Sequence, residues 1–313
     1  MKVPDLKKLG LCFLKWSSEN PYPPIPSEVG REGAGENRVP FAHLANSVPT
    51  YLYFLDSLLA NKFVVGVLDV GTGTGRNLAF VKSIITSKQP SRKNFFVGID
   101  YSKACIEYAK NSYSTNNSIE FIQHSGKRFP FPDCTFDSIV SSHVLEHIAE
   151  DDAGVYFKEI YRVLKPGGFA ILGTPNRKYC QDLFCINPSE SRKYRLILPH
   201  LREYYYAELK EVWLKKFWKG RFEVYGTTNL LCRELMVKSI DNIKPGKSLI
   251  RKFIFYLYTI IRQNPKLQAF VARLGTEFVM RGMKINYKKL VSSTHFDEKN
   301  IDNSDNLLLF LRK

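Results

Sequence analysis

The sequence lacks the features of a disulfide-bonded, zinc-binding or membrane-spanning protein. Its six cysteines are scattered without a CxxC pair, which argues against a disulfide framework or a zinc site and favours a reducing compartment. The longest run of mainly apolar residues, FIFYLYTII, has nine residues, whereas a membrane-spanning helix needs roughly 20. The basic N-terminal stretch contains no apolar segment of signal-peptide length, so we expect a cytoplasmic protein.

Acidic residues are too few in the last part of the chain to balance its basic residues. The formal net charge is +16, and residues 1–59 contribute nothing to it, with 6 basic and 6 acidic side chains. Residues 60–175 carry 13 and 11, and residues 176–313 carry 27 and 13. This asymmetry indicates an anionic partner, namely a lipid surface, a phosphorylated substrate or a nucleic acid.

Strand and helix patterns alternate from residue 64 onward, and the hydrophobic fraction of 44% is sufficient for a sizeable core. Mainly apolar runs predict strands at 64–70, 94–100, 118–124, 136–143, 167–175, 222–228 and 305–313. Amphipathic patterns predict helices at 75–87, 102–113 and 152–164. Such strands form a mostly parallel α/β sheet covered by helices on both faces, whose ligands bind at the carboxyl ends of the strands.

The stretch VLDVGTGTGRN covers the end of the first predicted strand and the turn that follows it. Gly71, Gly73 and Gly75 alternate with threonines, and Asp69 precedes them. Alternate glycines let the backbone approach a ligand closely, although they also suit a simple strand-to-helix turn. The pattern is neither GxGxxG nor a Walker loop. Asp100 ends the second strand, where a carboxylate can accept hydrogen bonds from two vicinal ribose hydroxyls.

Four stretches carry a resemblance to a known family: VLDVGTGTGRN, FVGIDYS, FPFPDCTFDSIVSSHVLEHI and EIYRVLKPGGFAILGTPN. In this order and spacing, over about residues 60–176, the sequence resembles the class I S-adenosylmethionine-dependent methyltransferases of the type 11 group. The resemblance implies a Rossmann-like, doubly wound, mostly parallel seven-stranded sheet. It also implies S-adenosylmethionine (SAM) as the cofactor and methyl transfer as the reaction.

The resemblance assigns cofactor-binding roles to specific positions. Asp69 and the glycine loop would line the methionine and ribose, Asp100 would bind the ribose hydroxyls, and Tyr101 would lie beside the adenine. Ser125 occupies the position where the family usually has an acid that meets the adenine amine, so we expect weaker cofactor binding there. The full set is Asp69, Gly71, Thr72, Gly73, Gly75, Asn77, Asp100, Tyr101, Ser125 and Ser142.

The segment HVLEHI, after the fourth strand, supplies candidate catalytic residues. If it begins a helix, His143, Glu146 and His147 share one face, and either histidine could act as a general base. Ubiquinone-biosynthesis O-methyltransferases are similar here, with Glu-x-x-Glu-His thought to bind a divalent ion. A metal site made of these three residues is therefore an alternative, although we expect none, and a structural role for Glu146 and His147 is another.

After the fifth strand, a stretch is similar to the "NP…HxREY…EL" segment of family members that act on glycans and other hydroxylated small molecules. His200, Arg202, Glu203 and Tyr204 match it, which makes His200 a further candidate base. Local contacts at the start of a helix are the alternative. No Asn/Asp-Pro-Pro-Tyr follows the fourth strand, whereas enzymes that methylate exocyclic base amines carry this signature there.

The predicted organisation has three parts. Residues 1–60 form a helical or irregular cap, 61–230 plus 303–313 the methyltransferase core, and 231–302 a basic insertion. Within the insertion, residues 248–262 and 266–284 predict two basic amphipathic helices. These helices could contact an anionic membrane and a lipid-linked acceptor, or pack as a lid on the core or on a partner chain.

The sequence thus predicts a methyltransferase acting on an oxygen atom of a small-molecule or glycan acceptor. RNA methylation is an alternative suggested by the basic C-terminal part. Recognised RNA-binding motifs are absent, however, and the large apolar faces of the basic helices suit lipid or protein better. A non-catalytic SAM-binding partner subunit is the other alternative, suggested by Ser125.

Overall fold

The computed structural model of the chain describes residues 6–20, 40–61, 66–90, 93–114, 119–125, 127–178, 201–229, 294–297 and 301–313. The helices are α1 (Leu6–Glu19), α2 (Pro40–Ala60), α3 (Arg76–Lys88), α4 (Lys103–Tyr113) and α5 (Glu150–Val163). A further helical segment, α6, joins an α-helical turn (Tyr206–Glu208), a π-helix (Leu209–Leu214) and a last turn (Lys215–Phe217). The strands are β1 (Gly66–Val70), β2 (Phe95–Asp100), β3 (Ile119–Gln123), β4 (Phe136–Ser142), β5 (Leu164–Pro175), β6 (Arg221–Asn229), β7 (Thr294–Asp297) and β8 (Asn306–Arg312).

The strands form one sheet in the order β3-β2-β1-β4-β5-β8-β6-β7. Strands β1 to β5 pair in parallel, and β8 runs antiparallel between β5 and β6. The seven-stranded, doubly wound sheet expected from the sequence is confirmed. Strand β7 adds an eighth strand at the edge and falls inside the interval predicted to be a helical insertion. The two predicted basic helices lie outside the described residues.

Both faces of the sheet are buried, which explains the continuous apolar runs of its strands. In β1, Val67 belongs to the core cluster under α1, α2 and α3, while its neighbour Leu68 belongs to the cluster under α5 and α6. The first cluster includes Phe54 and Phe80, and the second includes Trp213.

No helix in the described part of the chain has the length and hydropathy needed to cross a bilayer.

Local sequence explains where the helices begin. Gly75 precedes α3 with a left-handed φ of 77°, and Ser102 caps α4 because its hydroxyl accepts a hydrogen bond from the Cys105 amide at 3.1 Å. Helix α5 carries acidic residues in its first turn and Arg162 in its last turn, an arrangement that complements the helix dipole. These turns bring the first residues of α3 and α4 to the carboxyl edge of the sheet.

Candidate functional site

The candidate site lies at the carboxyl ends of β1, β2, β4 and β5. Strand β1 is the switch point of the sheet, because β2 and β3 extend from one side of it and β4 and β5 from the other. In open α/β sheets, ligands bind in the crevice at such a point. The four stretches that carry the family resemblance end or begin here.

The glycine loop between β1 and α3 adopts a backbone that only glycine accepts easily. Gly71, Gly73 and Gly75 have φ values of 74°, 55° and 77°. A Cβ on Gly71 would lie 2.1 Å from Cγ2 of Val144, and one on Gly75 would lie 2.6 Å from Cζ of Phe121. Gly71 and Gly75 are therefore required both by the backbone conformation and by the close packing around the loop, and Gly73 by its backbone conformation.

Asp100 holds the glycine loop from the end of β2. Its Oδ2 accepts a hydrogen bond from the Gly73 amide at 2.9 Å, and its Oδ1 accepts one from the Ser102 amide at 2.9 Å. Beside it, Tyr101 is 65% exposed, so its ring is accessible to a bound ligand. Ser125 is also exposed and follows β3, the strand that pairs with β2.

Asp69 is completely buried and is held by a residue that sequence reasoning missed. The Tyr51 hydroxyl of α2 donates to both carboxylate oxygens, at 2.9 and 3.1 Å, and the Thr72 hydroxyl donates to Oδ2 at 2.8 Å. Asp69 therefore connects α2 to the glycine loop. Tyr51 lies 18 residues earlier in the chain, and a helical pattern does not reveal which buried phenol meets a carboxylate.

The groups around the loop fit SAM. Asn77 is 2% exposed, and its Oδ1 has no hydrogen-bond partner within the described residues. This amide oxygen and the Asp100 carboxylate are acceptors, which suit the ribose hydroxyls and the ammonium group of SAM. They suit a pyrophosphate poorly, since a carboxylate would repel it.

The predicted helix over HVLEHI is wrong. Only Leu145–His147 is helical, as a single 3-10 turn, and His143 precedes it with a left-handed φ of 57°. His143 Nδ1 lies 2.9 Å from Glu146 Oε1, whereas the His147 side chain is exposed. Of the three candidates, the structure therefore brings together His143 and Glu146.

Tertiary contacts fix Glu146 in this position. Its side chain is fully buried, and Oε2 accepts a hydrogen bond from the Thr174 hydroxyl at 3.0 Å. Its carbonyl accepts from the amides of Leu201 and Arg202, at 2.7 and 3.1 Å. These two donors replace the α-helical partner that the carbonyl would otherwise require, which explains why the segment does not continue as an α-helix.

The other nitrogen of His143 has different surroundings. Nε2 is buried and has no hydrogen-bond partner within the described residues. A carboxylate beside Nδ1 favours the tautomer that carries its proton there, which leaves the lone pair on Nε2. Across the described part of the chain, no three His, Cys, Asp or Glu side chains are grouped to hold a metal ion.

The two serines at the end of β4 differ in their surroundings. Ser141 is structural, because its hydroxyl donates to the Val70 carbonyl at 2.9 Å and accepts from Tyr156 at 2.6 Å. Burial raises the pKa of the Tyr156 phenol, which therefore remains a donor. Ser142 Oγ lies 3.5 Å from the Ser47 carbonyl of α2, so α2 borders the site.

His200 lies outside the described residues, but the residues that follow it form a compact cluster. Arg202 forms ion pairs with Glu150 and Glu208, and its guanidinium lies 5.5 Å from the Tyr204 ring and 5.4 Å from the Trp213 ring. The cluster thus anchors the segment whose amides bind Glu146.

The fold and the site together define a class I, SAM-dependent methyltransferase domain. The model of the family described as "Methyltransferase domain", type 11, matches residues 68–172. Residues 68–172 are thus similar to the type 11 methyltransferase domain.

Individual relatives cover parts of the chain. A probable SAM-dependent methyltransferase of Mycolicibacterium smegmatis is 30% identical over 147 residues, which cover 47% of this chain and 49% of the relative. The ubiquinone/menaquinone biosynthesis C-methyltransferase UbiE of Desulfotalea psychrophila is 33% identical over 102 residues, 33% of this chain and 38% of the relative. The chain spans half or less of the length of these relatives.

Among solved structures, one similar chain is a SAM-dependent methyltransferase of Thermotoga maritima, described as a possible histamine N-methyltransferase. It is 17% identical, with a TM-score of 0.48, and the similarity covers 84% of this chain and 88% of that one.

Proposed function

We propose that the chain transfers a methyl group from SAM to an oxygen atom of a small-molecule or glycan acceptor, with His143 as the general base. The observation that carries the proposal is the pairing of His143 Nδ1 with the buried Glu146 carboxylate at 2.9 Å, at the carboxyl end of β4. A histidine oriented in this way can accept a proton at Nε2.

Bound SAM would supply an electrophilic methyl group on a positively charged sulfur. The residues of the chain would do the rest: the glycine loop and Asp100 would hold the cofactor, and His143 Nε2 would remove the proton of the acceptor hydroxyl. Glu146 would then stabilise the imidazolium. Thr174 would keep the carboxylate turned toward His143, since it donates to Oε2 at 3.0 Å.

A carbon acceptor is the second candidate, because one similar protein is named a C-methyltransferase. A ring carbon beside a hydroxyl becomes nucleophilic when that hydroxyl loses its proton, so the same base could serve. The alternative of a non-catalytic SAM-binding subunit predicts cofactor binding without turnover.

The first experiment is a calorimetric titration of the full chain with SAM, S-adenosylhomocysteine and NAD. We expect micromolar binding of the first two ligands and none of NAD. Asp100→Ala should weaken binding of both, because the Gly73 amide loses its acceptor. Glu120→Ala, at an exposed position of β3, is the matched control and should bind like the unaltered chain.

The second experiment incubates the chain with methyl-labelled SAM and panels of phenols, sugars and hydroxyquinones. We expect His143→Gln to lower the transfer rate about 100-fold or more while the Kd for SAM changes less than about twofold. His147→Gln tests the other histidine of the same turn and should keep most of the activity. Loss of activity in His147→Gln alone would refute the assignment, and SAM binding without transfer to any acceptor would favour the non-catalytic subunit.

A further inference from the structure

The glycine loop is held at both of its ends by helices that lie outside the matched domain of residues 68–172. Before the loop, Asp69 is bound by Tyr51 of α2. After the loop, Arg76 is bound by Ser17 of α1. The three glycines supply no side chains to hold the loop, so the groups at its ends contribute to fixing its geometry, together with Asp100 at Gly73.

The contact before the loop controls the orientation of a buried carboxylate. Because the Tyr51 hydroxyl lies 2.9 and 3.1 Å from the two oxygens of Asp69, it restricts rotation of the carboxylate plane. The Thr72 hydroxyl donates to the same carboxylate at 2.8 Å. Tyr51 is thereby coupled through Asp69 to the second residue of the loop.

The contact after the loop involves a buried guanidinium. Arg76 is 1% exposed, its Nη2 donates to Ser17 Oγ at 2.6 Å, and its Cζ lies 5.0 Å from the centre of the Trp16 ring. Helix α1 is itself fixed on α3, because the Phe13 and Trp16 rings pack against Phe80 at 5.0 and 5.5 Å. Arg76 is the first residue of α3, so this contact fixes where the loop ends.

We infer that Tyr51 and Ser17 are positioning residues of the cofactor site, through which α1 and α2 hold the glycine loop in the geometry that binds SAM. Neither residue needs to touch the cofactor, since each acts through the residue at one end of the loop. The inference rests on the cofactor-binding part of the proposed function and is independent of the acceptor and of His143.

The test is calorimetric titration of the full chain with SAM, combined with thermal unfolding of the ligand-free protein. Tyr51→Phe removes one hydroxyl from α2, and Tyr53→Phe is its matched control. Tyr53 is equally buried on the same helix, but its ring packs against Tyr225 and Phe310, at 6.2 and 6.3 Å. Ser17→Ala is paired with Ser18→Ala as its control. The Ser18 hydroxyl donates to the Lys15 carbonyl within α1.

We expect Tyr51→Phe and Ser17→Ala each to raise the Kd for SAM about tenfold, as loss of a supporting partner commonly does, while the two controls stay within about twofold. A purely structural role would instead lower the unfolding temperature and leave the Kd unchanged, which would overturn the inference. Equal weakening in Tyr51→Phe and Tyr53→Phe would also overturn it. If Tyr51→Phe does not fold, the comparison of Ser17→Ala with Ser18→Ala still tests the inference, because Ser17 is only half-buried.

Failure of the proposed function looks different in the same experiment. An unaltered chain that binds no SAM would contradict the cofactor assignment itself. An unaltered chain that binds SAM, with both variants binding equally well, would contradict only the role of Tyr51 and Ser17.

Discussion

At the scale of single residues, both glycines and a residue with a side chain, His143, adopt left-handed backbone conformations at the carboxyl end of the sheet. The glycines of the loop adopt this conformation at no steric cost. His143, with φ of 57°, carries a Cβ and pays about 1 kcal/mol or more for it. The His143 amide donates to the Gly173 carbonyl at 2.8 Å and its ring meets Glu146. Neighbouring contacts thus enforce the strain, as is common at functional sites.

Substituting Gly71 by alanine should separate strain from steric overlap. Gly71 and Gly167 have similar φ values, 74° and 78°, but only Gly71 has a neighbour in the way, since nothing lies within 4 Å of a Cβ on Gly167. We expect Gly167→Ala to lower the free energy of unfolding by about 1 kcal/mol. Gly71→Ala should lower it by about 3 kcal/mol, because Val144 must also move, and should abolish SAM binding. Denaturant titration measures the free energy of unfolding of the two variants, and calorimetry measures their binding of SAM. An equal decrease in the free energy of unfolding in the two variants would contradict this explanation.

At the scale of elements, an ion pair on α5 holds the segment between β3 and β4 in place. Arg162 and Glu159 form a bidentate pair, with Nε to Oε1 at 2.8 Å and Nη2 to Oε2 at 2.7 Å. Glu159 also accepts from the Phe129 amide, and Arg162 donates to the carbonyls of Phe129 and Phe131. Side-chain groups of α5 thus bind three backbone groups of the segment that joins β3 to β4.

This pairing predicts a dependence of stability on pH. The hydrogen bonds from Arg162, ahead of the opposing effect of burial, lower the pKa of Glu159. A lowered native pKa stabilises the fold above the unfolded pKa of about 4.3, and the stabilisation is lost as the pH falls through the native value. Glu159→Gln should therefore cost about 2 kcal/mol at pH 7, with the difference from the unaltered chain shrinking below about pH 4.

The matched control for this prediction is Glu107→Gln, on the exposed pair of Glu107 with Lys103 at 3.6 Å. An exposed pair contributes little, so we expect an unchanged free energy of unfolding. Denaturant titrations between pH 3 and 7 measure both variants. If the difference in free energy of unfolding between Glu159→Gln and the unaltered chain increased as the pH fell, the predicted direction of the pH dependence would be contradicted.

The elements show how far the sequence carries and where it stops. The strands could be predicted because burial on both faces produces runs of apolar residues, and the glycine loop because only glycine suits its backbone. The turn at Leu145–His147 could not be predicted, because the Leu201 and Arg202 amides that donate to the Glu146 carbonyl come from a segment distant in sequence. Tyr51 was missed for the same reason, since its partner Asp69 is a tertiary neighbour. Site residues at the ends of strands belong to local sequence motifs, whereas the residues that position them are distant in sequence.

At the scale of the whole molecule, charge is distributed unevenly between the matched domain and the rest of the chain. Residues 176–313 hold 27 basic and 13 acidic side chains, and much of this part, including the predicted basic helices, lies outside the described residues. An anionic surface would attract this part of the chain at low ionic strength.

The charge distribution predicts that the chain sediments with vesicles containing phosphatidylglycerol and not with phosphatidylcholine vesicles. We expect release at about 0.5 M salt, because screening at that ionic strength shortens the range of the attraction. Replacing Lys266 and Arg273 by glutamine should reduce the bound fraction severalfold, whereas the same change at Lys88 and Lys110 is the control. Equal binding to both kinds of vesicle, or none to either, would contradict a charge-driven membrane contact.

The position of β8 has a consequence for how the protein is made. Strand β8 fills the gap between β5 and β6, yet the ribosome produces Asn306–Arg312 long after Leu164–Pro175 and Arg221–Asn229. Until then, the growing chain presents two open strand edges with unpaired amides and carbonyls, which are templates for aggregation. A truncation that removes β8 would therefore split the sheet in its middle rather than shorten it at one side, and the product should depend on chaperones or be degraded.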